Sequence, residues 1–170
     1  STSGCHSDLP ANAGPGSVVI SGLPAAWSPS TTYPLTVTVS QSNRSLFGFQ
    51  MTAVDSNGAE TGTFVPGSGT KPVNGLPGGI EHSFAKAGSG AGTFVFDWTS
   101  PSSASVGNVR FNVAGNAANG NFAVTGDSIY STETTVSAAT AITQNEIFYF
   151  PHIADGGSFK TTLFITNPGT

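Results

Sequence analysis

Alternation with a period of two limits the fold of this chain more than any other feature. Tyr33-Pro-Leu-Thr-Val-Thr-Val-Ser40 sets Leu35, Val37 and Val39 on one side and Thr36 and Thr38 on the other. Leu46 to Val54 does the same with Phe47, Phe49, Met51 and Ala53, and Thr93 to Thr99 with Phe94, Phe96 and Trp98. The run from Val109 adds Phe111 and Val113. Successive strand side chains point to opposite faces, so each run predicts a strand with one apolar face. Long patterns of period 3.6 are missing, and Gly or Pro interrupts nearly every window. Asp55-Ser56-Asn57-Gly58 is a strong turn signal. Short strands at this spacing predict an all-β fold, an antiparallel two-layer sandwich with the named apolar residues inside.

The remaining segments are less regular. Ser17 to Ser21 and Thr63 to Val65 read as short strands, and Pro66 to Gly79 as a Gly/Pro loop. Gly79 to Lys86 reads as a strand with Ile80, His82 and Phe84 on one face. Gly115 to Asn121 reads as a Gly/Asn loop, Asp127 as a turn residue beside Gly126, and 132–145 as a Ser/Thr/Ala linker. Trp27, before Ser-Pro, is expected to cap one end of the sandwich.

A chain of 170 residues can bury a core without staples, and 37% hydrophobic residues predict a globule rather than disorder. Only 8% of residues are charged, so the polar surface is built from Ser, Thr, Asn and Gly. Such a surface resists association weakly and suits secreted structural proteins. The five basic residues are scattered and net charge is −4, which excludes a nucleic-acid footprint. No apolar run reaches the length of a membrane span, and no signal peptide opens the sequence, which reads as a mature form. No paired carboxylates, nucleophile elbow, phosphate loop or calcium loop can be assembled, so the expectation is that the protein is not an enzyme. Asn43-Arg44-Ser45 is a formal glycosylation sequon.

Phe47-Gly48-Phe49-Gln50-Met51-Thr52-Ala53, Gly62-Thr63-Phe64, Ile80-Glu81-His82, Phe94 to Pro101 and Val109 to Tyr130 follow one another in an order that resembles the Reeler-domain family. The resemblance is closest to its bacterial extracellular relatives, the choice-of-anchor V domains, and covers roughly residues 1 to 135, within the usual blur of boundaries. It implies a Reeler-type, immunoglobulin-like β-sandwich over residues 15–135, preceded by an N-terminal segment (1–14) and followed by a linker (136–145). It also implies an extracellular or cell-surface location of bacterial type. It implies no reaction, since one fold carries many functions.

The same resemblance bears on Cys5 and His6. Many bacterial members carry a Cys-x-x-Cys-His haem-attachment motif near the N-terminus, where two thioethers hold the porphyrin and the His ligates iron. Here Thr2 stands at the first cysteine position. The expectation is therefore no cofactor, with haem c singly attached at Cys5 as the alternative. In that alternative His6 is one iron ligand, His82 is the first choice for the other, and His152 stands behind it. For His82 the commoner outcome is a core histidine satisfied by a backbone carbonyl. As the only cysteine, Cys5 has no intramolecular disulfide partner.

The C-terminal extension, 146–170, holds two strand-like runs divided by Asp155-Gly156-Gly157 and resembles the opening strands of a bacterial surface immunoglobulin-like domain. An isolated hairpin this apolar cannot bury itself. Ile147, Phe148, Phe150, Phe159, Leu163 and Ile165 are therefore the candidate assembly residues, with Pro151 and Lys160 the only gatekeepers. The functional expectation is a secreted structural or adhesive protein whose partners are copies of itself, joined head to tail. An electron-transfer protein is the alternative. The bland alternative for the extension is that it folds back on its own sandwich.

Overall fold

The computed structural model describes residues 9–140, apart from 122 and 124, together with residue 157. The chain separates into two compact units, 1–140 and 141–170, and every described strand belongs to the first.

Among the described residues eleven strands form in chain order: β1 (Ser17–Ser21), β2 (Ala26–Trp27), β3 (Thr32–Ser40), β4 (Leu46–Val54), β5 (Thr63–Val65), β6 (Thr70–Val73), β7 (Leu76–His82), β8 (Lys86–Ala87), β9 (Ala91–Thr99), β10 (Val109–Ala118) and β11 (Ser128–Ala138). The smaller sheet has the order β1-β3-β9-β5. The larger has the order β2-β11-β10-β4-β7-β6, with β8 also pairing β4. Pairing is antiparallel except where β2 meets the end of β11. A two-layer, largely antiparallel sandwich is what the alternation predicts.

Leu35, Val37, Val39, Phe94, Phe96 and Trp98 from the smaller sheet face Phe47, Phe49, Met51, Ala53, Val109 and Phe111 from the larger, and all are buried. Rings bind the two layers together. Phe49 stacks on Phe96 with centroids 5.4 Å apart, and Trp98 meets Phe111 edge-on at 4.8 Å. Each such side chain stabilises the fold by roughly 1.5–3 kcal/mol through burial alone. Where β10 passes under β1 and β3, Gly115 supplies the clearance. A Cβ there would sit 2.7 Å from a Val39 methyl and 3.2 Å from Val18.

Polar pins close the ends. The Tyr130 hydroxyl, buried, donates to Gln41 Oε1 at 2.7 Å and accepts from the Gly16 N–H at 3.0 Å. Trp27 is wholly buried and donates its Nε1–H to the Gly107 carbonyl at 3.0 Å. Asp55 Oδ1 accepts from the N–H groups of Asn57 and Ala59, which makes 55–58 the turn its sequence predicts.

Four sequence expectations are corrected. Pro66–Gly79 is not all loop: β6 and the start of β7 lie within it, joined at Asn74-Gly75 with Gly75 at φ +75°. The strand containing Ile80 and His82 ends at His82, so Phe84 is exposed and shares no buried face with them. Gly115 to Ala118 belong to β10, and the loop starts only after them. The Ser/Thr/Ala run from 132 is strand as far as Ala138, because β11 pairs with β10 from Ser128 to Val136. Asp127 is likewise more than a turn residue. It is buried and accepts from the Asn119 N–H at 2.9 Å and from Asn116 Nδ2 at 3.3 Å.

Candidate functional site

Strand β11 is the longest among the described residues, and its two edges differ. One is paired with β10 over nine residues, from Val136 to Ser128. The other meets β2 only at Ser137 and Ala138. Towards its start it meets Asn12, whose N–H donates to the Ile129 carbonyl at 2.8 Å and whose Oδ1 accepts from the Ser131 N–H at 2.9 Å. Beyond the far end the Ala139 N–H donates to the Trp27 carbonyl. Backbone groups on a strand alternate sides with period two, so odd-numbered residues of β11 direct their N–H and C=O to this edge. Glu133 and Thr135 therefore do so as well. Among the described residues no strand pairs with them there, and Ser131, Glu133, Thr134 and Thr135 are exposed. Among the described residues this stretch of edge is open, of the kind that accepts another strand.

The outer face of the larger sheet lies beside that edge. The register sets Glu81, Gln50, Ala114 and Ser131 in one row across β7, β4, β10 and β11. Gly79, Thr52, Asn112 and Glu133 form the next row, and Gly48, Asn116 and Ile129 lie on the other side. Small residues thus alternate with long polar ones. The result is a groove of about 490 Å³ with Gln50, Asn112, Ala114, Ser131 and Glu133 in its lining and Leu76 at one wall. A second hollow of about 190 Å³ shares Gln50 and Ala114 and reaches His82 and Asn116. The cations at the rim are engaged: Lys71 Nζ lies 3.2 Å from Glu81, and Arg110 Nε 3.7 Å from Glu133.

His82 belongs to the sheet. Its Nδ1 lies 3.1 Å from the Phe49 nitrogen and 3.0 Å from the Phe49 oxygen. A single ring nitrogen fills one of these roles at a time, accepting from the N–H or donating to the carbonyl according to tautomer. The imidazole thereby takes the place of a backbone partner on β4 between the pairings to β7 and β8. The ring fits because residue 48 is glycine; a Cβ there would lie 2.7 Å from His82 Cε1. The hollow beside it is smaller than the roughly 300–1,000 Å³ typical of small-molecule sites. Cys5, His6, His152 and the assembly residues Ile147, Phe148, Phe150, Phe159, Leu163 and Ile165 lie outside the described residues. Among the described residues no three His, Cys, Asp or Glu side chains come together as a metal-binding group.

The groove and the open edge have no local signature in the sequence. The alternation shows which residues face outward, but only the register shows which of them become neighbours.

The sequence matches no protein-family model and no curated protein. Solved structures are similar. A human F-spondin reeler domain fragment aligns at 19% identity over 73% of this chain and 89% of that chain, with a TM-score of 0.54. A second fragment of the human domain gives 18%, 73%, 87% and 0.54. The Reelin-N domain of F-spondin gives 18%, 73%, 86% and 0.55. At such identities the likeness is one of fold, and the fold is that of a Reeler-type β-sandwich.

Proposed function

We propose that this chain is a secreted or cell-surface structural domain that assembles head to tail, the C-terminal strands of one copy adding to the open β11 edge of the next. The observation that carries this reading is the edge itself. Glu133 and Thr135 present N–H and C=O groups on a long, exposed strand with no described partner. The sequence of the extension supplies the complementary element: 147–150 and 159–165 are rich in β-branched and aromatic residues and carry one charge, Lys160. Main-chain bonds provide affinity in strand addition, and alternate side chains provide specificity. Side chains of the incoming strand on one face would lie beside Val136 on the inner layer, those on the other beside Glu133. The contact joins two different surfaces, so it repeats without closing and yields a filament. The sparse charge leaves little repulsion to oppose it. The resemblance of the sequence signature to choice-of-anchor V domains supports a bacterial cell-surface setting for such a polymer.

Deletion of residues 146–170 tests the donor, and Thr135→Pro tests the acceptor. Proline removes the outward N–H at 135 while leaving the bonds to β10 in place, a substitution edge strands tolerate. Sedimentation velocity should find the intact protein assembling with concentration and both variants folded and monomeric. An intact protein that stays monomeric at high concentration overturns the reading. So does a truncated chain, or a folded Thr135→Pro variant, that assembles as the intact protein does.

A further inference from the structure

We propose that the groove on the outer face of the larger sheet is a binding site for an uncharged, hydroxyl-rich ligand, a neutral oligosaccharide. Two carboxamides on its floor are available for hydrogen bonding. The side chains of Gln50 and Asn112 stand in adjacent rows on neighbouring strands, and among the described residues neither has a hydrogen-bond partner. Each carboxamide offers two donors and an acceptor oxygen, the complement of a sugar hydroxyl, which both donates and accepts. Asn116 Oδ1, in the adjoining hollow, is buried without a partner. Ala114 lowers the floor beside Gln50 and Asn112, so that a chain lying across β4, β10 and β11 would reach both carboxamides together.

Charge selects the class of ligand. The two hollows contain the carboxylates Glu81 and Glu133 and no Lys or Arg in their lining. Lys71 and Arg110, at the rim, are already paired to those carboxylates. A sulfated or phosphorylated ligand would meet negative charge with no free cation to offset it. A neutral sugar meets only donors and acceptors. The volume of about 490 Å³ lies within the usual range for small ligands. Neither tryptophan contributes a stacking platform, since Trp27 and Trp98 are wholly buried. Binding therefore rests on polar contacts and is weak, as suits an adhesive surface presented many times along a polymer. The site itself does not depend on assembly.

The test is titration of the full-length ¹⁵N-labelled protein with cellohexaose, maltohexaose, mannohexaose and chitohexaose, with a heparin hexasaccharide as the anionic probe. At least one neutral sugar at millimolar concentration should move the amide signals of Gln50, Asn112, Ala114 and Ser131, and heparin should not. Gln50→Ala with Asn112→Ala should weaken binding about tenfold or more, the loss of one to two hydrogen bonds. Ala114→Trp should abolish it by filling the groove from an outward strand position, leaving signals from the core unchanged. Absence of shifts with all four neutral sugars overturns the proposal. Shifts confined to another surface, response to heparin alone, or undiminished binding by the filled variant do so equally.

Discussion

The two sheets share one core and present opposite outer faces. On the smaller sheet the outward positions are Ser17, Val19, Thr36, Thr38, Thr93 and Val95 with their neighbours, and Asp97 is the sole charge on its strands. Its hydroxyls answer one another across the strands: Thr32 with Thr99 at 2.9 Å, Ser17 with Ser40 at 3.0 Å and Thr38 with Thr93 at 3.4 Å. Side chains of similar length make an even surface whose polar groups are largely satisfied. On the larger sheet Ala114 stands among Gln50, Asn112, Glu81 and Glu133, so the surface has relief, and the Gln50 and Asn112 carboxamides have no partner among the described residues. The inward half of each alternation builds the same core on both sides. What distinguishes a smooth wall from a grooved face is written entirely in the outward half.

The comparison predicts that stability is carried by the shared interior and that neither outer face adds much. The largest effect should come from Phe96→Ala. Phe96 rises from the smaller sheet, is 2% exposed, stacks on Phe49 of the larger and meets Phe64 edge-on at 5.7 Å. Its truncation should cost about 3–5 kcal/mol in urea unfolding. A loss under about 1 kcal/mol would mean that the two sheets are not held by this layer.

Next come the pins. Tyr130→Phe keeps the ring but strands Gln41 Oε1 and the Gly16 N–H, both of which now bond to the hydroxyl. The expected loss is about 1–3 kcal/mol, because Gln41 is buried and water cannot replace the donor freely. Equal stability of the two proteins would show the end of the sandwich to be open to solvent. His82→Phe should cost less, about 0.5–1.5 kcal/mol. The ring volume is retained beside Phe94, the bond to the Phe49 backbone is lost, and the half-buried position lets water substitute in part. Amide exchange at Phe49 should quicken in the variant; an unchanged rate would deny His82 its place in the ladder.

The same division governs how much of the molecule is legible in its sequence. Phe47, Phe49, Phe94, Phe96, Trp98 and Phe111 announce the core because alternation is local and apolar side chains have one destination. The β6–β7 hairpin is hidden by Pro72 and the glycines around it, yet an edge strand tolerates proline, and β6 is an edge. The later part of β11 reads as linker because Thr132 and Thr134, which pair with Val113 and Phe111, are not apolar, and Thr134 is exposed despite its buried partner. Gly115 suggests a loop, whereas its role is to let Val18 and Val39 approach β10. The groove and the open edge depend on strand order, which brings Gln50 beside residues more than sixty positions away; no local pattern encodes that. The residues at Cys5, His6 and Ile147 to Ile165 keep their sequence-based reading.

The smallest expected effect separates the two outer faces most cleanly. Arg110→Ala removes the cross-strand pair with Glu133 on the larger sheet, where both side chains are about half exposed. Thr38→Val removes the hydroxyl contact with Thr93 on the smaller sheet and keeps the β-branched shape. Each should change stability by about 0.5 kcal/mol or less. Their salt dependence should differ. Raising ionic strength from physiological towards 1 M shortens the screening length from about 8 Å to about 3 Å, which erases an exposed ion pair and leaves a hydroxyl contact untouched. The gap between wild type and Arg110→Ala should therefore close with salt, while the gap between wild type and Thr38→Val stays constant. Parallel urea titrations at low and high salt measure both. If the two gaps respond alike, the outer faces do not differ in the way their residues indicate, and the charged relief of the larger sheet has no energetic consequence of its own.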